Sequence, residues 1–137
     1  METLNENRGL LVYILLQILT LGIYGLYLIY LQAKETNLAC VDDMHHTRGL
    51  LGFLFFEVLT FGIYGIVWYC SWISRCNNYL TRNHQPQGLQ ISTYLLTLFI
   101  FGPLTIGVMY LVVRAKMLYL QNSVNRVYNQ SVTLLKV

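Results

Sequence analysis

Charged residues are scarce in this chain, at 11% of 137 residues, whereas 55% of the residues are hydrophobic. A soluble domain carries about 25% charged residues, so this chain has little polar surface with which to face water. Proline occurs only twice. The three cysteines, Cys40, Cys70 and Cys76, have neither an even count nor a paired spacing, which argues against a disulfide framework and favours free thiols. The composition therefore predicts a membrane protein with a single domain over residues 1–137.

The sequence repeats itself at a fixed offset and without a gap. Residues 8–11 recur as 48–51, and the leucine-threonine-x-glycine-isoleucine-tyrosine-glycine string of 19–25 recurs as 59–65. A third, weaker copy runs from Gly88 through Phe101-Gly102-Pro103 and Gly107 to Asn122 and Asn125. We therefore divide the chain into repeat copies over about 8–47, 48–87 and 88–129, and we expect the first two copies to share one structure.

Each copy contains one long apolar run, over 9–31, 49–72 and 89–113. A helix of about 20 residues crosses the hydrocarbon core of a bilayer, so the pattern predicts an all-α integral membrane protein with three apolar helical segments. After Arg114 the apolar residues Met117, Leu120 and Val124 share one helical face. This pattern predicts a C-terminal amphipathic helix, which we expect on the membrane surface rather than against a partner helix.

Glycine interrupts every run near its middle, at Gly22 and Gly25, at Gly62 and Gly65, and at Gly102 followed by Pro103. Glycine suits the residue just after a helix, and proline suits the first turn of the next one. We expect a sharp bend or a non-helical segment at all three places. Two geometries remain open: each run spans the membrane once with a kink, which we prefer, or each run is a re-entrant hairpin.

The basic residues lie at the edges of the apolar runs and form no patch, which favours an anionic membrane surface over nucleic acid as the partner. If the runs span, three basic residues lie on one side and six on the other, which places the C-terminus in the cytoplasm. If the runs are hairpins, all nine basic residues share the cytoplasmic side. Either geometry predicts a protein of the cytoplasmic membrane, multi-pass if the runs span.

The string over residues 19–30, followed by a polar stretch with Asn37, resembles the prokaryotic family called "domain of unknown function 4234". The family is similar in its repeated leucine-threonine-leucine-glycine-isoleucine-tyrosine-glycine motif and in a late glutamine-x-x-x-asparagine element, matched here by Gln121 and Asn125. The resemblance covers roughly residues 8–129, although the second copy departs from the family pattern after Gly65. It implies a membrane protein and carries over no catalytic residue.

Glu57 is the only acidic residue within an apolar run. An ionisable side chain at membrane depth is costly and suggests a proton or cation pathway. However, the equivalent position is Gln17 in the first copy, and we align Thr97 with it in the third. A position filled by Glu, Gln and Thr favours a hydrogen bond between helices over a pathway.

The remaining polar groups form no recognisable reaction centre. His45, His46 and Cys40 cluster in the first loop, but their spacing fits no zinc site, so we predict a solvated loop with no metal and no cofactor. With no nucleophile–base pair, we expect no enzyme. The expected function is a non-catalytic membrane protein that acts through assembly with itself, with another membrane protein or with lipid. The alternative is an oligomeric channel or transporter whose pathway Glu57 lines.

Overall fold

A computed structural model describes residues 3–135, which form helices joined by turns and short loops and contain no strand. The helices are α1 Leu10–Leu19, α2 Ile23–Ala39, α3 Leu50–Leu59, α4 Ile63–Arg82, α5 Ile91–Leu96, α6 Gly102–Leu104 and α7 Val108–Leu135. A π-helical turn over Thr97–Phe101 joins α5 to α6, and a 3₁₀ turn covers Val41–Asp43. Within residues 3–135 no helix combines the length and the apolarity needed to cross a membrane.

The apolar runs fold back on themselves. Helix α1 ends where Leu21 and Gly22 adopt left-handed φ angles of 50° and 95°, and α2 begins at the next residue. Arg8, before α1, forms an ion pair with Glu35 near the end of α2. A continuous helix would separate these two residues by about 40 Å at 1.5 Å per residue. The preference for spanning runs was therefore wrong, because the structure has the hairpin geometry.

The second hairpin, α3 and α4, repeats the first closely. Phe61 and Gly62 have φ angles of 51° and 93°, and α3 and α1 have the same length of 10 residues. The Trp68 indole donates to the carbonyl of Arg48, so the two arms of this hairpin also lie side by side. The expectation that the first two copies share one structure is confirmed for their arms and turns.

The second arms are longer than the first, and they form the core of the molecule. Helices α2, α4 and α7 have 17, 20 and 28 residues, against 10 in α1 and α3. Beyond the short arms α7 packs on both α2 and α4. The fully buried side chains there are Thr36 of α2, Trp72, Ile73, Cys76 and Leu80 of α4, and Leu120 and Val124 of α7. The packed core therefore lies at the end of the molecule away from the hairpin turns.

A third hairpin has α5, the π-helical turn and α6 as its first arm and α7 as its second. The three hairpins lie parallel, with their turns at the same end. Thr36, Cys76 and Gln121 each stand at the same distance in sequence after the glycine of their own turn, which is Gly22, Gly62 or Gly107. The Thr36 hydroxyl lies 3.8 Å from the Cys76 sulfur and donates to Gln121 Oε1 at 3.3 Å. Because residues at the same distance from each turn meet, the fold has an approximate three-fold axis through these side chains.

Three asparagines, Asn37, Asn77 and Asn122, close the hairpins into a ring. Each directly follows one of the three axial residues Thr36, Cys76 and Gln121. Each bonds both an N–H and a C=O of the segment that leads into the next hairpin. Asn37 binds both groups of Thr47 at 2.8 and 2.9 Å. Asn77 binds Gly88 N–H and the Leu89 carbonyl, and Asn122 binds both groups of Arg8. We call these the asparagine clamps; the third joins the last hairpin back to the first.

The predicted C-terminal amphipathic helix is the second half of α7, continuous with the third hairpin. Its apolar face, including Met117, Leu120 and Val124, is buried against the helices α2 and α4. The expectation of a separate helix on the membrane surface was wrong. The apolar stripe was read correctly, but a stripe alone does not distinguish a lipid surface from a neighbouring helix of the same chain.

Candidate functional site

The hairpin turns satisfy their own backbone groups. In the first turn the Gly22 N–H bonds the Gln17 carbonyl at 2.9 Å, and the Leu21 N–H bonds the Ile18 carbonyl. The Thr20 hydroxyl donates to the Leu16 carbonyl and accepts the Tyr24 N–H at 2.9 Å. Thr60 makes the same two bonds in the second turn. The repeated leucine-threonine-x-glycine string therefore encodes a turn that needs no partner from outside.

The third turn lies at Thr105–Gly107. Thr105 donates to the Phe101 carbonyl and accepts the Met109 N–H, and Gly107 has a φ of 87°. Gly102 keeps a right-handed helical conformation, and Pro103 occupies the first turn of α6. The first two chain reversals lie at Gly22 and Gly62, as predicted. The breaks predicted at Gly25 and Gly65 were wrong, because these residues lie inside α2 and α4, and the break predicted at Gly102-Pro103 was wrong as well.

Each turn presents one bulky apolar residue almost completely to its surroundings. Leu21, Phe61 and Ile106 are 94, 98 and 96% exposed, and they have left-handed φ angles of 50°, 51° and 51°. We call them the tip residues. Further exposed apolar side chains continue along the outer faces of the arms: Leu15, Ile18, Leu19, Ile23, Leu51, Phe55, Val58, Leu59, Ile63, Phe99 and Leu104. One end of the molecule is therefore apolar on its outside as well as within.

Gln17 and Glu57 occupy equivalent places inside their own hairpins. The Gln17 amide packs on Gly25 and donates to the Gly22 carbonyl at 3.3 Å. The Glu57 carboxyl packs on Gly65, and one of its oxygens is buried with no hydrogen-bond partner among the described residues. Counted from the turn, the third equivalent is Gly102, so the alignment of Thr97 with this position was wrong.

The three-fold axis is filled at the core end. Trp72, Cys76, Thr36 and Gln121 are each 0–1% exposed, and the Trp72 indole donates to the Thr36 hydroxyl at 3.0 Å. Gln121 in turn donates to Asn125, which also bonds Glu35. The glutamine-x-x-x-asparagine element thus belongs to a buried polar network that joins α7 to α2.

A second polar group fastens the first loop to α4. The Arg75 guanidinium bonds both carboxylate oxygens of Asp43, the Thr47 hydroxyl and the Cys40 carbonyl. Partial burial by itself raises the pKa of Asp43, but the hydrogen bonds from Arg75 and from the His45 N–H outweigh it and lower that pKa below its ordinary value. The loop borders a cleft of about 740 Å³.

The expectation of a solvated first loop holds for His45 and His46, which are exposed and line this cleft. It was wrong for Cys40, which is buried, and Cys76 lies in the core. No three His, Cys, Asp or Glu side chains converge in a way that could hold a metal ion in the part of the chain that the structure describes.

Sequence reasoning missed two features. The third turn carries its own signal, because Leu104-Thr105-x-Gly107 repeats the leucine-threonine-x-glycine string at a new offset. The clamps also have a signal, namely an Asn that stands equally far in sequence after each turn glycine. Their partners, Thr47, Gly88 and Arg8, could not be found this way, because any residue supplies a backbone N–H and C=O.

The fold and the turns define an all-helical protein built from three helical hairpins in a closed ring. Residues 8–69 and residues 48–119 each match the family model described as Domain of unknown function (DUF4234). The two matches together cover most of the chain, so the chain belongs to this family. They begin at residues 8 and 48, which are equivalent positions of the internal repeat. No curated protein and no solved structure matches the chain.

Proposed function

We propose that this is a non-catalytic membrane protein that inserts its three hairpin tips into one leaflet and acts through assembly or interaction within the bilayer, with lipid as its first partner. The observation that carries the proposal is the exposure of the tip residues, all above 90% and all at one end. A left-handed conformation costs a bulky residue about 1–2 kcal/mol. Burial of these apolar side chains in the hydrocarbon interior of a bilayer would offset that cost.

The hairpin dimensions support insertion into a single leaflet. An arm of 10 residues extends about 15 Å at 1.5 Å per residue. The hydrocarbon core of a bilayer is about 30 Å thick, so the tips reach roughly to its middle. Insertion of this kind adds material to one leaflet alone, and we expect binding to respond to membrane curvature.

The bonding of the turns removes the main objection to re-entrant hairpins. Non-helical backbone at membrane depth is tolerated only where its polar groups have partners. The Thr20 and Thr60 hydroxyls and the carbonyls of the first arms supply those partners within each hairpin. The turns therefore present side chains, and few bare backbone groups, to the bilayer.

The distribution of charge supports a cytoplasmic orientation. Arg8, Lys34, Arg48, Arg75 and Arg82 all lie at the core end of the hairpins or in the loops there. Basic residues concentrate on the cytoplasmic side of membrane proteins. We therefore expect the core end, including both loops, to face the cytoplasm, with the tips entering the cytoplasmic leaflet.

The alternative, an oligomeric channel or transporter lined by Glu57, has less support. The Glu57 carboxyl packs on Gly65 within its own hairpin. Trp72, Thr36, Cys76 and Gln121 fill the axis of the chain. A pathway would have to form between separate copies of the protein.

The tip residues can be tested with a matched control. Phe61→Asp, one of three tip substitutions that are combined in the test variant, places a charge at a tip. Asp costs about 2.5–3.5 kcal/mol at the bilayer centre. Asp tolerates the left-handed conformation better than Phe does, so the variant should still fold. Met44→Asp is the control, because Met44 is 99% exposed with a φ of 54° but lies in the loop at the other end.

The measurement is retention of purified, reconstituted protein on liposomes during flotation through an alkaline gradient. We expect wild type and Met44→Asp to float and the triple variant Leu21→Asp/Phe61→Asp/Ile106→Asp to be released. Circular dichroism in detergent checks that each variant remains helical. If the folded triple variant floats as well as wild type, the tips are not the membrane anchor and the proposal is wrong.

A further inference from the structure

Arg114 is a partly buried cation without an acidic partner. Its Nη1 bonds the Tyr69 hydroxyl at 3.3 Å, and its guanidinium lies 5.3 Å from the Tyr13 ring centre and 5.8 Å from that of Tyr69. No Asp or Glu within residues 3–135 forms an ion pair with it. Arg8 and Arg75, in contrast, have the carboxylates of Glu35 and Asp43.

An arginine in this position has unused bonding capacity. A guanidinium carries five N–H donors, and one hydrogen bond accounts for a single donor of Arg114. Taking a cation out of water is costly unless a negative charge or several acceptors replace the water. The two aromatic faces offset part of that cost, and an anion bound at the guanidinium would offset more of it.

A cavity of about 320 Å³ opens beside the guanidinium, lined by residues of all three hairpins, among them Tyr13, Tyr69 and Tyr94. The hydroxyls of Tyr13 and Tyr94 have no hydrogen-bond partner among the described residues. The Tyr69 hydroxyl accepts from Arg114, and its own proton remains available. Three tyrosines whose hydroxyls can donate, together with a guanidinium, therefore line a space with no carboxylate on its wall. These are the donor groups of an anion site.

The rest of the cavity wall is apolar, with Leu98, Leu111 and Val113 beside the tyrosines. Arg114 stands seven residues after the turn glycine Gly107, or about 10 Å along the helix. If the hairpins enter a leaflet to about 15 Å, the backbone of Arg114 lies about 5 Å below the inner edge of the headgroups. An arginine side chain is long enough to extend from there to the interface.

We infer that this cavity binds the phosphate of an anionic phospholipid, with Arg114 as the charged ligand, Tyr94 and Tyr13 as hydroxyl donors, and the acyl chains running along the apolar wall toward the tips. The depth argument rests on the proposed insertion of the hairpins, whereas the anion site rests on the geometry around Arg114 alone. The phosphodiester supplies the negative charge that the cavity lacks, and the apolar wall favours a lipid over free phosphate.

The test measures binding to delipidated protein in an uncharged detergent, where no bilayer is needed. The probes are dioctanoyl phosphatidylglycerol, dioctanoyl phosphatidylcholine and inorganic phosphate, followed by native mass spectrometry and calorimetry. We expect the phosphatidylglycerol to bind more tightly than either other probe. A charged hydrogen bond contributes about 1.5–3 kcal/mol, so Arg114→Gln should weaken that binding roughly 10- to 150-fold.

The control is Lys116→Gln, which removes the same charge from an exposed position on the same helix and should leave binding within about twofold of wild type. Tyr94→Phe removes one hydroxyl with little change in shape and should weaken binding without loss of helicity. Equal weakening in Arg114→Gln and Lys116→Gln would mean general attraction to a basic surface and overturn the site. Binding of inorganic phosphate as tightly as the lipid would overturn the lipid assignment.

Flotation of Arg114→Gln on liposomes separates this inference from the proposed function. We expect Arg114→Gln to float like wild type, because the tips and not the anion site anchor the protein. Release of the tip variants with intact lipid binding in detergent would support both proposals independently. If wild type binds the three probes equally but still floats, the proposed anion site is wrong and the proposed membrane insertion is unaffected.

Discussion

The ring of Tyr110 occupies the space that a Cβ on Gly102 would fill. In the first two hairpins the arrangement is reversed, since the first arm carries the large side chain, Gln17 or Glu57, and the second arm carries Gly25 or Gly65. The third hairpin therefore has a glycine and a large residue at the same two places with their arms exchanged. In every hairpin one large side chain faces one glycine at this level, which lets the two arms pack closely.

We expect Gly102→Ala to destabilise the protein by about 1–3 kcal/mol, since overpacking displaces a neighbouring group. The double variant Gly102→Gln/Tyr110→Gly restores the order of the first hairpin. Its loss of unfolding free energy should be smaller than the sum of the losses in the single variants Gly102→Gln and Tyr110→Gly. Denaturant unfolding in mild detergent gives these values. Gly9→Ala is the control, because nothing lies within 4 Å of its Cβ position. Additive single losses would show that the two positions do not pack on each other.

The asparagine clamps offer a second test. Asn77 is buried and holds the segment before the third hairpin through Gly88 and Leu89, whereas its neighbour Asn78 is exposed. Loss of a buried hydrogen-bonding side chain costs about 1–3 kcal/mol. We expect Asn77→Ala to lower the unfolding free energy by this amount and to expose residues 83–90 to protease. Asn78→Ala should change neither property. Similar losses in both variants would contradict the role of the clamp.

Glu57 discriminates between the two function classes. An amide at this place can donate to the Gly62 carbonyl as Gln17 donates to Gly22, so we expect Glu57→Gln to be as stable as wild type. Glu57→Leu removes a buried carboxyl oxygen that has no hydrogen-bond partner among the described residues, so its unfolding free energy should also stay close to that of wild type. Ion flux in liposomes should be the same for all three proteins. A flux that wild type carries and Glu57→Gln abolishes would favour the channel.

The sequence was most informative where local chemistry decides structure. The constant offset between the first two copies, together with Gly22 and Gly62, predicted the repeat and its turns, because a left-handed backbone strongly favours glycine. The same reasoning misplaced the third turn, since Gly102-Pro103 resembles a break although both residues fit within a helical turn. The choice between spanning and folding back depended on contacts such as Arg8 with Glu35, and such contacts between distant residues leave no local pattern.

The ion pair between Asp43 and Arg75 predicts a loss of stability in acid. The pKa of Asp43 is lowered in the folded protein, so the unfolded chain binds a proton more readily. The stabilisation is then fully present above the unfolded pKa, near 4, and is lost as pH falls through the lower folded pKa. We expect the melting temperature of wild type to fall more steeply than that of Asp43→Asn between about pH 5 and pH 2. Asp42→Asn, at the exposed neighbouring residue, should keep the wild-type slope.

The native cysteines should interfere little with a maleimide-labelling experiment that maps the membrane topology. Cys40 and Cys76 are 1% and 0% exposed, and burial raises the pKa of Cys40 to about 11, so neither thiol should react with a maleimide near neutral pH. Cys70 is less buried, so the experiment uses the variant Cys70→Ser as its background. Labelling of this variant before and after unfolding checks that the two remaining thiols are protected in the folded state.

Single cysteines added to this background distinguish hairpins from spans. The four positions are Asn7→Cys, Met44→Cys, Gln87→Cys and Leu135→Cys, all at exposed residues. Spanning runs would place Asn7 and Gln87 on one side of the membrane and Met44 and Leu135 on the other. Re-entrant hairpins keep all four on one side, because each run returns to the side from which it entered. We expect an impermeant maleimide to label all four in inside-out vesicles and none in right-side-out vesicles. Alternation between the two preparations would refute insertion into one leaflet.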